Sequence, residues 1–445
     1  MTVARLASTA EASSHRPSTR ASGRGARHPH AHTGFKAESL RAMNLSVVLR
    51  HILETPGAVS RADIAASTGV TRATVSRLVD ELVHIGLVSE LGPSPETTRG
   101  RPAVRLAPRP GSVISLGLEV NISYLAVRAV DLTGKVLAEA SQAGDFAHSD
   151  PISTLTLLAG LGRGALDEAT TGDAVEGAHV IGSGLALPGL VSGDALALAP
   201  NLGWRDLPLD DLLRPLADLN PLIVANEADL AAFAVANPRP GASDGPASFI
   251  YVSGEVGIGA GIIVDHRPLI GAHGWSGEIG HICTDPSGPP CSCGASGCLE
   301  AFLGLRALAR RAGLPEGSTP TDVVSAARAG SSAARAAIHE GGTALGRALS
   351  AVVNTVDIPE ILLGGIVAEI GEEIIPSALT ELRARTLQSS WSEPEIRIVP
   401  GSAVLAVTGA AHRVLEHVVQ RPDRLGPIPR LGSKASSPRY TDART

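Results

Sequence analysis

Cysteine is scarce in this chain, and confined: its only four, Cys283, Cys291, Cys293 and Cys298, lie within 16 of 445 residues. A disulfide framework would spread them out, so the clustering points instead to a metal held in a reducing compartment. Long apolar runs are missing too. No stretch reaches the length of a membrane helix, and the arginine-bearing N-terminus lacks the apolar core of a secretion signal. The cytoplasm is the expected location. Lysine is nearly absent, with only Lys36, Lys135 and Lys434, so arginine carries the positive charge, a mark of genome composition rather than function. What is present is ordinary for a soluble globular protein, 44% apolar and 18% charged, and the length calls for two or three domains.

The net charge of −6 conceals an asymmetry. Residues 1–110 hold 15 Lys/Arg against 8 Asp/Glu, a balance of +7, which leaves −13 for the rest. A basic leading part on an acidic body suits contact with an anionic polymer. Residues 1–40, rich in Ser, Arg, Ala, His and Gly, read as a disordered basic tail, and residues 421–445 as a second one. Between them, residues 41–110 read as a compact helical unit. Residues 111–420 alternate strand-like runs (VISLGLEV, YLAVRAVDL, SFIYVS, GAGIIV) with Ala/Leu-rich helical segments, the signature of an α/β fold.

Three helices are legible in residues 41–110. The first carries Leu45, Val48, Leu49 and Ile52 at helical spacing. The second starts at the N-cap Ser60, with Asp63 placed for a capping box, and stops at Gly69. The third starts at Thr71 and runs to Ile85, its inward face made of Val75, Leu78, Val79 and Leu82 and its outward face of Arg72, Thr74, Ser76 and Arg77. Two helices joined by Gly69-Val70-Thr71 form a helix-turn-helix, whose second helix offers arginine and small polar groups to base edges and phosphates in the major groove. The following residues read as a β-hairpin wing with Arg99 and Arg101 at its tip, the whole forming a winged helix-turn-helix. Its expected partner is double-stranded operator DNA.

His281, Cys291, Cys293 and Cys298 follow the pattern H-x9-C-x-C-x4-C, with glycines that let the backbone wrap tightly. Four soft or borderline donors suit tetrahedral Zn²⁺, and a set without an open position is structural rather than catalytic. Cys283 is left over.

Residues 271–302, GAHGWSGEIGHICTDPSGPPCSCGASGCLEAF, resemble the signature of the ROK family of repressors, open reading frames and sugar kinases. Leu187-Pro188-Gly189, residues 199–204, Asn226-Glu227-Ala228-Asp229, the glycine run of residues 254–261, Leu363-Gly364-Gly365 and Gly409-Ala410-Ala411 resemble further family landmarks, so the likeness covers nearly all of residues 41–420. With the winged helix in front, the chain is similar to the repressor branch that includes xylose and N-acetylglucosamine regulators. The resemblance implies two α/β lobes of the actin/hexokinase (ribonuclease H-like) type with a sugar cleft between them. It also implies sugar contacts by Asn201, Asn226, Glu227, Glu278, His281 and Glu300, with His281 shared between sugar and zinc, and a homodimer or homotetramer.

Three positions depart from the kinases of that family. Where they carry Asp-x-Gly-Gly-Thr, this chain has Glu119-Val120-Asn121-Ile122-Ser123, read as plain strand. Where they have a catalytic Asp after the Asn, it has Glu227. In the second phosphate loop stands Glu255, which would repel ATP. The sequence therefore reads as a kinase-inactive, sugar-responsive DNA-binding regulator, most simply a repressor. The alternatives are a bifunctional sugar kinase and a regulator whose effector is a protein.

Overall fold

The computed structural model describes residues 37–92, 104–171, 177–254 and 257–425. The N-terminal unit consists of α1 (Ala37–Glu54), β1 (Val59–Ser60), α2 (Arg61–Thr68), α3 (Arg72–His84), β2 (Val88–Leu91) and β3 (Arg105–Pro108). Local chemistry sets its helix ends. Ser60 and Asp63 form the reciprocal capping box that starts α2, Gly69 ends it at φ +71°, and the Thr71 hydroxyl accepts from Thr74 N to start α3. Leu45, Leu49, Ile64, Val75, Val79 and Leu82 are fully buried, so the helical stripes read from the sequence do meet. The three strands pair antiparallel in the order β1-β3-β2. The wing tip, with Arg99 and Arg101, lies outside the described residues, as do Glu255 and most of both expected tails.

The first lobe contains β4 (Val113–Val120), β5 (Tyr124–Asp131), β6 (Val136–Ala143), α4 (Pro151–Ala169), β7 (His179–Leu187), β8 (Leu190–Val191), β9 (Ala195–Ala199), β10 (Trp204–Pro208), α5 (Leu209–Leu212), β11 (Pro221–Asn226) and α6 (Glu227–Ala236). Its main sheet has the order β11-β7-β4-β5-β6, with a three-stranded β8–β10 sheet beside it. The second lobe contains β12 (Phe249–Gly254), β13 (Ile258–Val264), β14 (Arg267–Pro268), α7 (Glu300–Leu303), α8 (Leu305–Arg311), α9 (Pro320–Arg328), α10 (Ser332–Val356), β15 (Glu360–Leu363), α11 (Gly365–Glu369), α12 (Gly371–Arg385), β16 (Glu395–Ile398) and α13 (Leu405–Gln420). Its sheet runs β14-β13-β12-β15-β16. Both lobes thus use one plan: an antiparallel three-strand meander followed by two parallel strands on its far side. This is an α/β fold with an N-terminal helix-turn-helix unit.

Two helices tie the lobes together by exchange. α6 leaves the last strand of the first sheet yet packs on β12 and β13 of the second, while α13 follows the second sheet and packs on β4, β5 and β7 of the first. They cross closely: a Cβ on Gly409 would stand 1.8 Å from the Leu230 carbonyl, so only glycine fits there.

Three sequence-based expectations change. Residues 121–123 are not strand; they form the turn of the β4–β5 hairpin, because Asn121 Oδ1 accepts from both Ser123 N and Ser123 Oγ at 3.1 Å. The described residues start at Ala37 and reach Leu425, so they include parts of both stretches read as tails. Leu425 is buried and Pro422–Arg424 form a 3₁₀ turn against α1. Finally, the hydrophobic core runs on across residue 110. Val113, Val130, Leu132 and Ile181 of the first lobe, with Val414, Leu415, Val418 and Val419 of α13, share one buried cluster with α1 and α3.

Candidate functional site

The cleft between the lobes is assembled from short segments at strand ends. The first lobe supplies residues 120–122, Pro188, Gly189, Pro200, Asn201, Asn226 and Glu227; the second supplies residues 257–259, Glu278, His281, Ser292 and Glu300. The space between them is about 770 Å³, counting its open mouth. All six residues for which sugar contact was expected, Asn201, Asn226, Glu227, Glu278, His281 and Glu300, are therefore brought together, although 99 positions separate the first from the last. Ligands in folds of this class sit in such crevices because strand ends and helix starts leave polar groups there.

Asn226 ends β11 and caps α6. Its Oδ1 accepts from Ala228 N at 2.8 Å and its Nδ2 donates to Gly189 O at 3.0 Å, which fixes the amide while leaving one hydrogen and one lone pair for a ligand. Glu227 is the first residue of α6. One carboxylate oxygen, Oε2, is buried without a hydrogen-bond partner, and burial, followed by the nearby Glu119, Glu278 and Asp229 charges, pushes its pKa up to about 8. Asp229, 8% exposed, behaves alike: burial and then Glu278 raise it to about 7, and its Oδ1 has no partner. Burial also raises Glu278, opposed by His281 and reinforced by Glu300. Glu300 begins α7, and its two oxygens accept from Ile258 N at 3.2 Å and Ser292 Oγ at 3.1 Å. It can lie there because position 257 is glycine: a Cβ would stand 2.5 Å from Glu300 Oε2. No Lys or Arg lines the cleft among the described residues.

His281 also faces away from the cleft. The ligand atoms of His281, Cys291, Cys293 and Cys298 all lie within 4.8 Å of one another, with Cys291 Sγ 3.7 Å from His281 Nδ1 and Cys293 Sγ 3.8 Å from Cys298 Sγ. Two sulfurs at 3.8 Å are far too distant for a disulfide but match two corners of a tetrahedron with metal–sulfur bonds of about 2.3 Å. The loop is folded by its own backbone, Cys291 N donating to Ala295 O and Gly297 N to Pro289 O, both at 2.8 Å. Burial and the neighbouring thiols push Cys298 up to about 12, while a backbone amide, that of Ala295, lowers Cys293. A cation would stabilise the thiolates that this crowding disfavours. The cluster is thus a site that could bind a metal. Cys283 stands apart: its Sγ points to Ser296 O at 3.5 Å and is exposed.

On the helix-turn-helix unit, Arg72 and Arg77 are exposed on α3, and Thr74 and Ser76 are half-buried. Thr74 Oγ1 already bonds Thr71 Oγ1 at 2.9 Å, which ties it to the cap. Ion pairs from Arg61 to Asp80 and Glu90, and from Arg41 to Glu81, brace α3 against its neighbours.

Reasoning from sequence passed over Asp229 and Ser292, and it read Glu119 only as a lost aspartate. Asp229 stood in the quoted Asn226-Glu227-Ala228-Asp229, so a signal was there. Glu119 is buried, and its Oε1 accepts from Tyr124 OH at 2.8 Å, a pairing that only the hairpin reveals.

The ROK family model matches residues 124–415, and the model of the IclR helix-turn-helix domain matches residues 43–92. The chain is 27% identical over 380 residues to the xylose repressor of Bacillus spizizenii, covering 85% of this chain and 96% of that one. It is 33% identical over 253 residues to the glucokinase of Halalkalibacterium halodurans, covering 53% and 76%. The crystal structure of a ROK family transcriptional regulator, a homologue of the E. coli MLC protein, superposes with a TM-score of 0.68 at 25% identity, covering 86% of this chain and 98% of that one. With the two-lobed fold, the cleft and the cysteine loop all in place, the chain belongs to the ROK family.

Proposed function

We propose that this protein is a sugar-responsive DNA-binding repressor of carbohydrate-utilisation genes, without kinase activity. One observation carries the reading. A helix-turn-helix with exposed arginines shares a buried core with a lobe whose cleft is lined with sugar-type ligands, Asn226, Glu227, Glu278, His281 and Glu300. Amides and carboxylates suit vicinal hydroxyls, since each can take part in several hydrogen bonds at once. Arg72, Thr74, Ser76 and Arg77, with Arg99 and Arg101 of the wing, would contact operator DNA, and Asn201 would add a sugar contact. His281, Cys291, Cys293 and Cys298 would hold a structural Zn²⁺. That ion supplies no chemistry to a reaction. It would lock the loop so that the His281 ring keeps its other nitrogen, Nε2, toward the cleft. The protein would act in the cytoplasm as a symmetric homodimer or homotetramer on a roughly palindromic site.

A sugar bonded from both lobes favours their closed arrangement. It shifts that equilibrium only by its differential affinity, and passing from 1:99 to 99:1 takes about 5.5 kcal/mol. A few bonds to charged groups at about 1.5–3 kcal/mol each supply that. Closure would move the DNA-binding units of the oligomer out of register with successive major grooves.

One observation favours the kinase alternative: Glu227 at the start of α6, raised to about 8, lies in the range useful to a general base. Against it stand the β4–β5 turn, which has no glycine and is held by two Asn121–Ser123 hydrogen bonds, and the extra methylene of Glu227. The experiments are separate. Duplexes selected from a random pool should bind the protein and be released by a sugar, and Arg77→Ala should weaken binding by about 1–3 kcal/mol. A double Arg72→Ala/Arg77→Ala variant that binds as the parent does would sink the DNA assignment. ATP, Mg²⁺ and the releasing sugar should yield no sugar phosphate; turnover abolished by Glu227→Gln would establish the kinase.

A further inference from the structure

We propose that the cleft takes an uncharged sugar and excludes its phosphate esters, an inference that rests on the sugar-sensing reading above. Proteins bind phosphate with Arg or Lys, with free amides at a helix N-terminus, or with a glycine hairpin open to the ligand. Among its described residues the cleft offers only glycines of the β12–β13 hairpin, Gly257 and Gly259, and a carboxylate rather than open space adjoins them: a Cβ on Gly257 would stand 2.5 Å from Glu300 Oε2. No Lys or Arg lines it, and Glu255 and Val256, adjacent in sequence, bring no cation. The N-terminus of α6 does point into it. However, Asn226 Oδ1 already occupies the Ala228 amide, and Glu227 fills the first helical position with a carboxyl. Three carboxyls, Glu227, Glu278 and Glu300, line the space, with Asp229 buried just behind. A hydroxyl satisfies the unpartnered Glu227 Oε2, whereas a phosphate dianion would enter a desolvated acidic site with nothing to pair it.

The test is titration calorimetry of the full-length protein with D-glucose, N-acetyl-D-glucosamine and D-xylose, each beside its ester (the 6-, 6- and 5-phosphate). The sugar that binds should outbind its ester by on the order of 100-fold. An ester that binds as tightly as its parent sugar, or tighter, overturns this inference while leaving sugar sensing intact. Failure of all six to bind overturns the sugar-sensing reading and this inference with it.

A different set of contacts carries a second inference. The geometry assigns to Arg239 the role of a positioning residue that passes the state of the cleft to the DNA-binding unit. α6 has the cleft at its N-terminal end, at Asn226 and Glu227, and it is ten residues long, a rod of about 15 Å. Just beyond its other end, Arg239 donates from Nη1 to Leu53 O and from Nη2 to Glu54 O, both at 3.2 Å. Those are orphan carbonyls of the last turn of α1, so the first lobe's loop caps a helix of the DNA-binding unit. Asp244 holds the guanidinium in place through Nε and Nη2. The clamp is doubled in the other direction: Arg50 of α1 donates to Gly241 O at 3.0 Å and pairs with Glu416 of α13 at 2.5 Å. The loop itself is fastened to α13, where buried His412 Nδ1 lies 3.1 Å from Asn237 O. Any displacement of α6 along its axis therefore pulls on the C-terminal end of α1.

Hydrogen exchange on the full-length protein tests this. Saturation with whichever panel sugar binds should change protection of the α1 amides. In Arg239→Ala that change should fall at least ~3-fold, while sugar affinity, read by calorimetry, stays within ~2-fold. Arg239→Lys, which keeps the charge but not the fork, should fall between. A merely structural staple would lower melting temperature and leave the sugar-induced change intact. That outcome, or an α1 unaffected by sugar in the parent protein, overturns the inference.

Discussion

The two lobes share a strand order yet close their first hairpins in opposite ways. In the first lobe the β4–β5 turn has no glycine and is sealed by Asn121 bonding Ser123 twice. In the second, the β12–β13 hairpin is rich in glycine, the composition expected where backbone must approach phosphate. Yet at Gly257 and Gly261 the space that the missing side chain leaves is already taken by protein. A Cβ on Gly257 would meet Glu300, and one on Gly261 would meet the Ala228 carbonyl at 2.5 Å. The glycines let Glu300 and α6 come close. Glycine content alone therefore does not mark a phosphate site; what fills the vacated volume decides.

The largest expected effect concerns the loop that only the second lobe carries. Metal analysis should return about one zinc per chain, and Cys293→Ser should lose it. Because the free energy of a structural metal is folding free energy, that variant should lose several kcal/mol of stability. Hydrogen exchange should show the loss concentrated in residues 278–303 and sparing β4–β7. Uniform loosening of both lobes would blur the comparison.

Next comes the ligand. Glu278→Ala in the second lobe should weaken sugar binding by about 1.5–3 kcal/mol, and Asn201→Ala in the first by about 0.5–1.5 kcal/mol, the ordinary difference between charged and neutral hydrogen bonds. Calorimetry that reverses this order would move the main anchor to the first lobe.

Packing gives a smaller, sharper contrast within one strand. Gly261→Ala would place a Cβ 2.5 Å from both Ala228 O and Ala232 Cβ, and should cost about 1–3 kcal/mol in denaturant melts. Gly259→Ala meets nothing nearer than 3.5 Å and should be nearly neutral. Equal effects at the two positions would contradict the packing role given to these glycines.

The smallest effect is a pH dependence. The Glu227 carboxyl titrates near 8 in the fold against 4.5 for an ordinary glutamate. Below about pH 4.5 both folded and unfolded chains hold the proton. Between 4.5 and 8 only the folded chain does, so on this count stability falls as pH rises, and the penalty is complete above 8. Glu227→Gln should therefore raise the melting temperature by about 3 °C at pH 8.5 and leave it unchanged at pH 4.5. A gain of the same size at the lower pH would mean that it does not come from removing a buried charge.

Much of this was legible in advance because it rests on local rules. Ser60, Asp63, Gly69 and Thr71 mark helix ends through hydrogen bonds that span three residues, and Val75, Leu78, Val79 and Leu82 repeat at the period of a helix, so both survive the step to three dimensions unchanged. His281 and the three cysteines are close in the chain, which made a cluster that could bind a metal readable from spacing. The cleft residues were named by likeness to a family rather than by derivation, since Asn201 and Glu300 meet only after two lobes form. The error at residues 121–123 has the same origin: an alternating apolar pattern suggests strand, and only the pairing of β4 with β5 shows that the chain must turn there.

By itself the sequence determined the helix-turn-helix and its caps, the alternation of strands and helices, and the His281 and cysteine loop, because each depends on neighbours in the chain. Tertiary structure alone decided the rest. The repeat of one strand order in two lobes left no short sequence repeat, since sheet topology constrains burial and direction rather than identity. The raised carboxyls of Glu227 and Asp229 needed the second lobe to bury them. The contact of Arg239 with the end of α1 joins residues 185 and 186 positions apart, a distance over which no local pattern reaches and only the packed core decides.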